Sequence, residues 1–254
     1  MITVDHASMS IYGKTLLHDI SFRLDAGRLY GLIGHNGSGK SSLIKLLSGE
    51  WSPSSGTVML DNETIHAMTA KARARRIAYL PQRLPEAADF QVAELVMLGR
   101  FPWQRWLQKP NQEDHRIVAE AMMHTDVTRF AQQAVNTLSD GERQRVWLAM
   151  CLAQQSHCLL LDEPLAALDI VYQIEVLHLL RRLVDERGLT ILIIIHDINL
   201  AAQFCDDIIA LKHGRLCQHA DVNTIMQQSI LHDIFGVNLH LLDHPDGKHR
   251  VAVI

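Results

Sequence analysis

An α/β fold is predicted by three observations. The run Leu29-Tyr30-Gly31-Leu32-Ile33 is continuously apolar, as a strand covered on both faces must be, and a glycine-rich turn joins it to a helical stretch at 42–47. Two further apolar runs, 159–161 and 191–195, flank a segment at 174–184 with helical spacing, so strand and helix alternate. The first 60 residues differ, reading as short strands separated by turns.

Taken in order, Ile2-Thr3-Val4 and Ile20-Ser21-Phe22-Arg23-Leu24 read as strands, with Asp25-Ala26-Gly27 turning the chain into the run at 29–33. Thr57-Val58-Met59-Leu60 follows the turn Ser54-Ser55-Gly56, and Ile77-Ala78-Tyr79-Leu80 is a strand stopped by Pro81. From 83 to 137 the character is helical, broken by Pro85, Pro102 and Pro110, which reads as an inserted helical subdomain within one 254-residue domain.

Composition narrows the class. Hydrophobic residues make up 48% and charged residues 20%, as in ordinary globular chains. A formal charge of −4 and a pI near 6.4 supply no general basic field for nucleic acid. The cluster Lys71, Arg73, Arg75 and Arg76 alternates with alanines and reads as a solvated helix face. No basic start followed by an apolar stretch marks a signal peptide, and no apolar run approaches the roughly 20 residues that span a bilayer, so any membrane role is expected to act through a partner. Cys151, Cys158, Cys205 and Cys217 lack C-x-x-C spacing and read as reduced thiols. His240, His244 and His249 crowd the C-terminus, but Pro245 and Gly247 break any regular presentation, so they read as solvated rather than metal-binding.

The chemistry starts at GHNGSGKS, residues 34–41. Gly34, Gly37 and Gly39 allow turns closed to other residues, so that the N–H groups of His35, Asn36, Ser38 and their neighbours converge on an anion. Lys40 would place its charge at the β- and γ-phosphates of a nucleotide, Ser41 would hold Mg²⁺, and Ser42 continues the phosphate-facing helix start. At Cys158-Leu159-Leu160-Leu161-Asp162-Glu163 an apolar strand delivers two carboxylates at its C-terminal end. Asp162 suits Mg²⁺, and Glu163 suits a base or orienting group for the attacking water. Leu138-Ser139-Asp140-Gly141-Glu142-Arg143-Gln144 is locally a capping box, Ser139 with Glu142, opening a helix.

Followed by Leu161-Asp162-Glu163-Pro164, that segment resembles the signature motif of ABC-type ATPases. The resemblance covers essentially the whole chain. It implies a P-loop NTPase core of ABC (RecA-like) type, with an antiparallel β subdomain and an inserted α-helical subdomain. It also implies ATP as substrate with Mg²⁺, and a dimer in which Ser139 and Gly141 of one copy complete the site on the other. Gln82 resembles the Q-loop glutamine sensing Mg²⁺ and water, Asp169 the D-loop aspartate, His196 the switch histidine at the γ-phosphate, and Tyr12 the aromatic residue stacking on adenine. Two departures stand out. Asp140 replaces the first glycine of the signature, and Ala166 replaces a common D-loop serine; Arg143 and Arg145 are expected to offset the Asp140 charge.

At finer grain, Gly34 to Lys40, Ala78-Tyr79-Leu80-Pro81-Gln82, Gly99-Arg100-Phe101-Pro102-Trp103 and residues 159–168 resemble the ATPases of iron–siderophore importers. The His35-Asn36 pair, Leu84-Pro85 and Leu242-Asp243-His244-Pro245 bring the resemblance closest to ferric-hydroxamate (ferrichrome-type) importer ATPases. This implies a peripheral subunit on the cytoplasmic face of the inner membrane, a polytopic permease, and indirectly a periplasmic or surface siderophore-binding protein. Haem and cobalamin importers have related ATPases, and a soluble non-transport ABC ATPase is the rival class. Phe101, Pro102, Trp103 and Trp106 read either as a docking surface for the permease or as a local core.

Overall fold

The computed structural model describes residues 1–87, 89–105, 108–244 and 250–253. Trp106, Pro245, Gly247 and His249 therefore lie outside the described residues. The chain opens with strands β1 (Ile2–Ile11), β2 (Lys14–Leu24) and β3 (Leu29–Ile33), then helix α1 (Lys40–Leu47). Strands β4 (Ser55–Leu60) and β5 (Glu63–Thr64) precede α2 (Ala70–Ala74) and β6 (Ile77–Leu80). Helices α3 (Val92–Leu98), α4 (Gln112–His124) and α5 (Asp140–Ala153) follow. Next come β7 (Cys158–Leu161), α6 (Ile170–Arg187), β8 (Thr190–Ile194), α7 (Ile198–Phe204), β9 (Asp207–Lys212) and β10 (Arg215–Asp221). Last are α8 (Val222–Ile225), α9 (Gln228–Phe235), β11 (His240–Asp243) and β12 (Arg250–Val253).

Two compact units form, one from Met1–Met68 with Leu180–Ile254, the other from Thr69–Leu179. In the first, β3 pairs in parallel with β8 and with β9, and β10 adds antiparallel to β9. Every residue of β3 and β8 is buried, which explains the apolar runs read at 29–33 and 191–195. A separate antiparallel sheet runs β2-β1-β4-β5 in the same unit. Its strands alternate buried and exposed residues, as a sheet with one solvated face does. β1 and β2 are joined by Tyr12 and Gly13, with φ of 48° and 78°. Positive φ at both central residues is what a two-residue type I′ hairpin turn needs.

The second unit pairs β6 with β7 in parallel and packs α3, α4 and α5 on one another. A buried ion pair ties these helices together. Arg100 Nε donates to Asp114 Oδ1 at 2.9 Å, and Arg100 Nη1 donates to the Ala153 carbonyl at 2.8 Å. Asp114 also closes the capping box that starts α4. The basic segment 71–76 is not simply a solvated face. Arg75 Nε donates to the Pro102 carbonyl at 2.8 Å, Lys71 donates to the Gln104 carbonyl, and the Arg75 guanidinium lies 5.1 Å over the Trp103 ring. Trp103 Nε1 donates to the Gln154 carbonyl, whereas Phe101 is 71% exposed. That turn is therefore anchored by Trp103 and presents Phe101 outward, so a local core does not describe Phe101. Among the described residues, no helix is long and apolar enough to cross a membrane.

Candidate active site

In the first unit the site is a backbone loop held from outside. β3 ends at Ile33, and Gly34 follows with a φ of 143°; a Cβ there would sit 2.2 Å from the Leu211 carbonyl oxygen and 2.7 Å from Ser38 Oγ. No side chain fits, so glycine is required at this approach. Ser38 N donates to the His35 carbonyl (3.1 Å), and Gly214 N to the Ser38 carbonyl (2.9 Å), so the β9–β10 turn braces the loop. Replacing Gly34 with Ala is expected to cost about 1–3 kcal/mol through overpacking and backbone strain. Thermal unfolding checks this, since each kcal/mol shifts Tm by about 2–4 °C at this size.

The loop is arranged for an anion. Gly39 N-caps α1 with a φ of 103°, offers no side-chain cap, and no acidic residue occupies the first turn. The leading N–H groups and the positive end of the helix dipole are thus left for a ligand. Ser38 is 3% exposed, and its Oγ has no hydrogen-bond partner among the described residues. A buried hydroxyl of that kind calls for an acceptor, and a phosphate oxygen is one. Lys40, 6% exposed, donates from Nζ to the Gly34 (2.8 Å) and His35 (3.0 Å) carbonyls, so its charge lies over the loop. Ser41 and Ser42 follow in the first turn. His196 is exposed just beyond β8, where Asp197 N-caps α7 through Oδ1. The Tyr12 ring is fully exposed at the β1–β2 turn.

In the second unit, β6 and β7 deliver the remaining candidates from adjacent strand ends. Asp162 N donates to the Leu80 carbonyl at 2.9 Å, and Asp162 is 2% exposed. Glu163 adopts a φ of 53°, unusual for a residue with a Cβ, and its Oε2 accepts from Gln82 Nε2 at 2.7 Å. Gln82 and Glu163, 81 residues apart, are therefore joined directly. The Gln82 amide oxygen and the Asp162 carboxylate are hard oxygen donors of the kind that suits Mg²⁺, and in the first unit so is the Ser41 hydroxyl.

The signature segment starts α5. Ser139 Oγ accepts from Glu142 N (3.4 Å), and Glu142 Oε2 accepts from Ser139 N (2.9 Å) and from the Ser139 hydroxyl (2.7 Å). The Ser139 hydroxyl and backbone N–H hold the Glu142 carboxyl below its usual range, so it is anionic at neutral pH. A cavity of about 320 Å³ beside this turn is lined by Ser139, Gly141, Arg145, Asp169 and Tyr172 among others. Asp140 is paired with Arg143. Arg145 is engaged elsewhere, because its Nη1 contacts Asp126 Oδ2 at 3.1 Å and its guanidinium stacks 4.3 Å over Tyr172. The expectation that both arginines offset Asp140 holds for Arg143 alone. Asp126 and Tyr172 carry no motif signal, so their claim on Arg145 was not readable. Asp169 Oδ1 accepts from Tyr172 N (3.0 Å), as an N-cap of α6 does.

Known proteins share these features of sequence and fold. Residues 17–166 match the family described as ABC transporter. The iron(3+)-hydroxamate import ATP-binding protein FhuC of Bacillus subtilis (strain 168) is 40% identical over 243 residues, 95% of this chain and 90% of the relative. The hemin import ATP-binding protein HmuV of Pseudomonas entomophila (strain L48) is 39% identical over 258 residues, 100% of this chain and 99% of the relative. A dimeric post-hydrolysis state of the ATP-binding cassette MJ0796, bound to ADP and Pi, superposes with a TM-score of 0.79 at 27% identity, covering 87% of this chain and 99% of that one. A glycine loop opening α1, paired carboxylate and amide groups at adjacent strand ends, and this breadth of similarity place the chain in the ABC transporter ATPase family.

Proposed function

We propose that this chain is the ATP-hydrolysing subunit of an ABC importer and energises uptake of an iron(III)–siderophore of the hydroxamate type. The observation that carries this reading is its 40% identity, along 95% of its length, to an iron(3+)-hydroxamate import ATP-binding protein. A second reading, a haem importer subunit, draws on the hemin import relative that matches the whole chain. Uptake of iron-loaded hydroxamates, catecholates, haem and cobalamin, in cells with and without this subunit, tests both. Loss of hydroxamate uptake alone is the expected result. Loss of haem uptake instead would transfer the assignment to the second reading.

In this reading the loop from Gly34 to Ser42 holds the ATP phosphates, with Lys40 on the β- and γ-phosphates and Tyr12 stacked on adenine. Ser41, Gln82 and Asp162 would hold Mg²⁺, which when bound neutralises charge on the phosphate oxygens. Glu163 accepts the proton of the attacking water as the new P–O bond forms and the bond to the departing ADP breaks. Gln82, already hydrogen-bonded to Glu163, keeps that carboxylate oriented, and His196 contacts the γ-phosphate. Two copies act together, and Ser139 and Gly141 of each complete the site of the other. The helical block 83–137 is proposed as the subdomain that meets a polytopic permease, with Phe101 on the surface it offers. A periplasmic or surface binding protein hands substrate to that permease. The subunit itself sits peripherally on the cytoplasmic face of the inner membrane and binds no nucleic acid.

Asp140 weakens engagement with the partner's ATP without abolishing it, because a carboxylate at a helix N-terminus competes with phosphate even when Arg143 pairs with it. Asp140→Gly is expected to raise ATP turnover or tighten apparent nucleotide affinity by roughly 2- to 5-fold, the range of a helix-end charge effect. Steady-state hydrolysis measured against ATP concentration checks this. No change in either quantity would mean that Asp140 is inert.

A further inference from the structure

The phosphate loop touches the C-terminal part of the chain at one residue that nucleotide binding does not account for. His35 Nε2 lies 3.0 Å from the Phe235 carbonyl oxygen, which can only accept, so the imidazole donates. The two rings also meet edge to face, with centroids 6.1 Å apart. Phe235 is the last residue of α9, and its carbonyl is one of the acceptors that a helix end leaves without an intrahelical partner.

Two further acceptors at that helix end are also bound. Gly236, at a φ of 71°, donates its N–H to the His232 carbonyl, and Lys212 Nζ donates to the Asp233 carbonyl at 2.5 Å. Lys212 ends β9, and its neighbour Leu211 supplies the carbonyl that leaves no room for a side chain at Gly34. The end of α9 is thus clamped between β9 and the phosphate loop. Leu231 and Ile234 are fully buried and anchor the helix beneath it. Farther along, Asn199 makes two bonds to the Ala252 backbone, Nδ2 to the carbonyl (3.1 Å) and Oδ1 from the N–H (2.7 Å), so β12 is fixed to α7. α9 and β12 are therefore each fixed to the first unit, and a fixed helix end can hold a loop.

We propose that His35 is a positioning residue. It latches the phosphate loop to the end of α9, so that the C-terminal segment pre-forms the loop for ATP. This rests on the reading of the loop as the ATP-binding element. The His35 imidazole serves by its bond to the Phe235 carbonyl rather than by touching the nucleotide, while the His35 backbone keeps its place in the loop. Pre-forming the loop removes an ordering cost from binding, so the latch is read in nucleotide affinity.

The test uses the full chain and measures ATP dissociation constants and steady-state KM and kcat for His35→Ala, Phe235→Ala and the double variant. Phe235 is remote in sequence and makes no claim on nucleotide. His35→Ala, which removes both the hydrogen bond and the ring contact, is expected to raise the ATP dissociation constant roughly 3- to 10-fold, with KM moving more than kcat. Phe235→Ala leaves the backbone carbonyl in place, removes only the ring contact, and is expected to raise it by less, about 2-fold. The double variant should be no worse than His35→Ala, because without the imidazole the Phe235 ring has nothing left to seat. His35→Gln, which keeps a side-chain N–H donor, should recover part of the loss. If Phe235→Ala does not fold, Phe235→Leu keeps the apolar anchor while removing the ring edge. No effect of His35→Ala, or a Phe235→Ala effect that persists at full size in the His35→Ala background, would overturn the latch. Lys40→Ala, run alongside, separates the two failures. If it still binds ATP at full affinity, the reading of the loop fails and the latch with it; if it does not, uncoupled His35 and Phe235 variants defeat the latch alone.

Discussion

Glu163→Gln is expected to lower kcat for ATP hydrolysis by about 100- to 10,000-fold, the contribution of a positioned general base. ATP binding should persist, and an ATP-bound dimer should accumulate. The cause is geometric. Buried β7 ends at Leu161, just before Asp162, and Glu163 then turns to a φ of 53°, a conformation with a cost that surrounding structure must offset. That turn brings the Glu163 carboxylate to the Gln82 amide N–H at 2.7 Å. The Gln82 amide therefore orients one oxygen of the carboxylate. Glutamine is nearly isosteric, so the backbone turn and most packing survive, but its amide has no basic oxygen of comparable strength. It can also donate where the carboxylate only accepts, so its hydrogen bond with Gln82 survives if either amide turns. Single-turnover hydrolysis and size-exclusion chromatography with ATP measure the two halves. Unchanged hydrolysis would remove Glu163 from the role.

How much of this was legible in the sequence depended on whether a signal was local. β3 and β6 coincide with the runs read at 29–33 and 77–80, because each is continuously apolar and ends against Gly34 or Pro81. β1 was read only to Val4 but continues to Ile11. Its alternation is disturbed after Val4 by irregular pairing with β2, where His6 and Asp19 both have positive φ and their side chains pair at 2.7 Å. A bulge of this kind hides a strand from a period-two reading. The loop at 34–41 was fully legible, since glycine spacing states its own geometry. Its support was not. Phe235 lies 200 residues from His35, and a carbonyl acceptor carries no side-chain signature at all. The Arg145 partners failed for the same reason: Asp126 and Tyr172 meet it from outside its own turn, and only Arg143 had its carboxylate within one helical turn. Lys71 and Arg75 looked solvated because alanines surround them, yet each finds a backbone carbonyl more than 25 residues away.

Lys40→Ala is expected to weaken ATP binding by about 10- to 100-fold, the worth of hydrogen bonds to a charged group, and to reduce hydrolysis further. Lys40 is 6% exposed, so its ammonium is held close to where phosphate oxygens are proposed to bind, in surroundings that screen charge far less than water. Its two bonds to the Gly34 and His35 carbonyls also matter. They turn those oxygens inward around a cation, so the variant loses a phosphate contact and leaves two carbonyls facing a site meant for anions. Lys40→Arg separates these effects. Arginine keeps the charge, but its planar fork is wider than an ammonium in a loop whose Gly34 admits no additional atom. Arg should therefore recover little of the lost affinity if shape governs, and most of it if charge alone does. Equilibrium titration with a fluorescent ATP analogue, with thermal unfolding to confirm that both variants fold, measures the difference. Full affinity in Lys40→Ala would end the phosphate assignment for this loop.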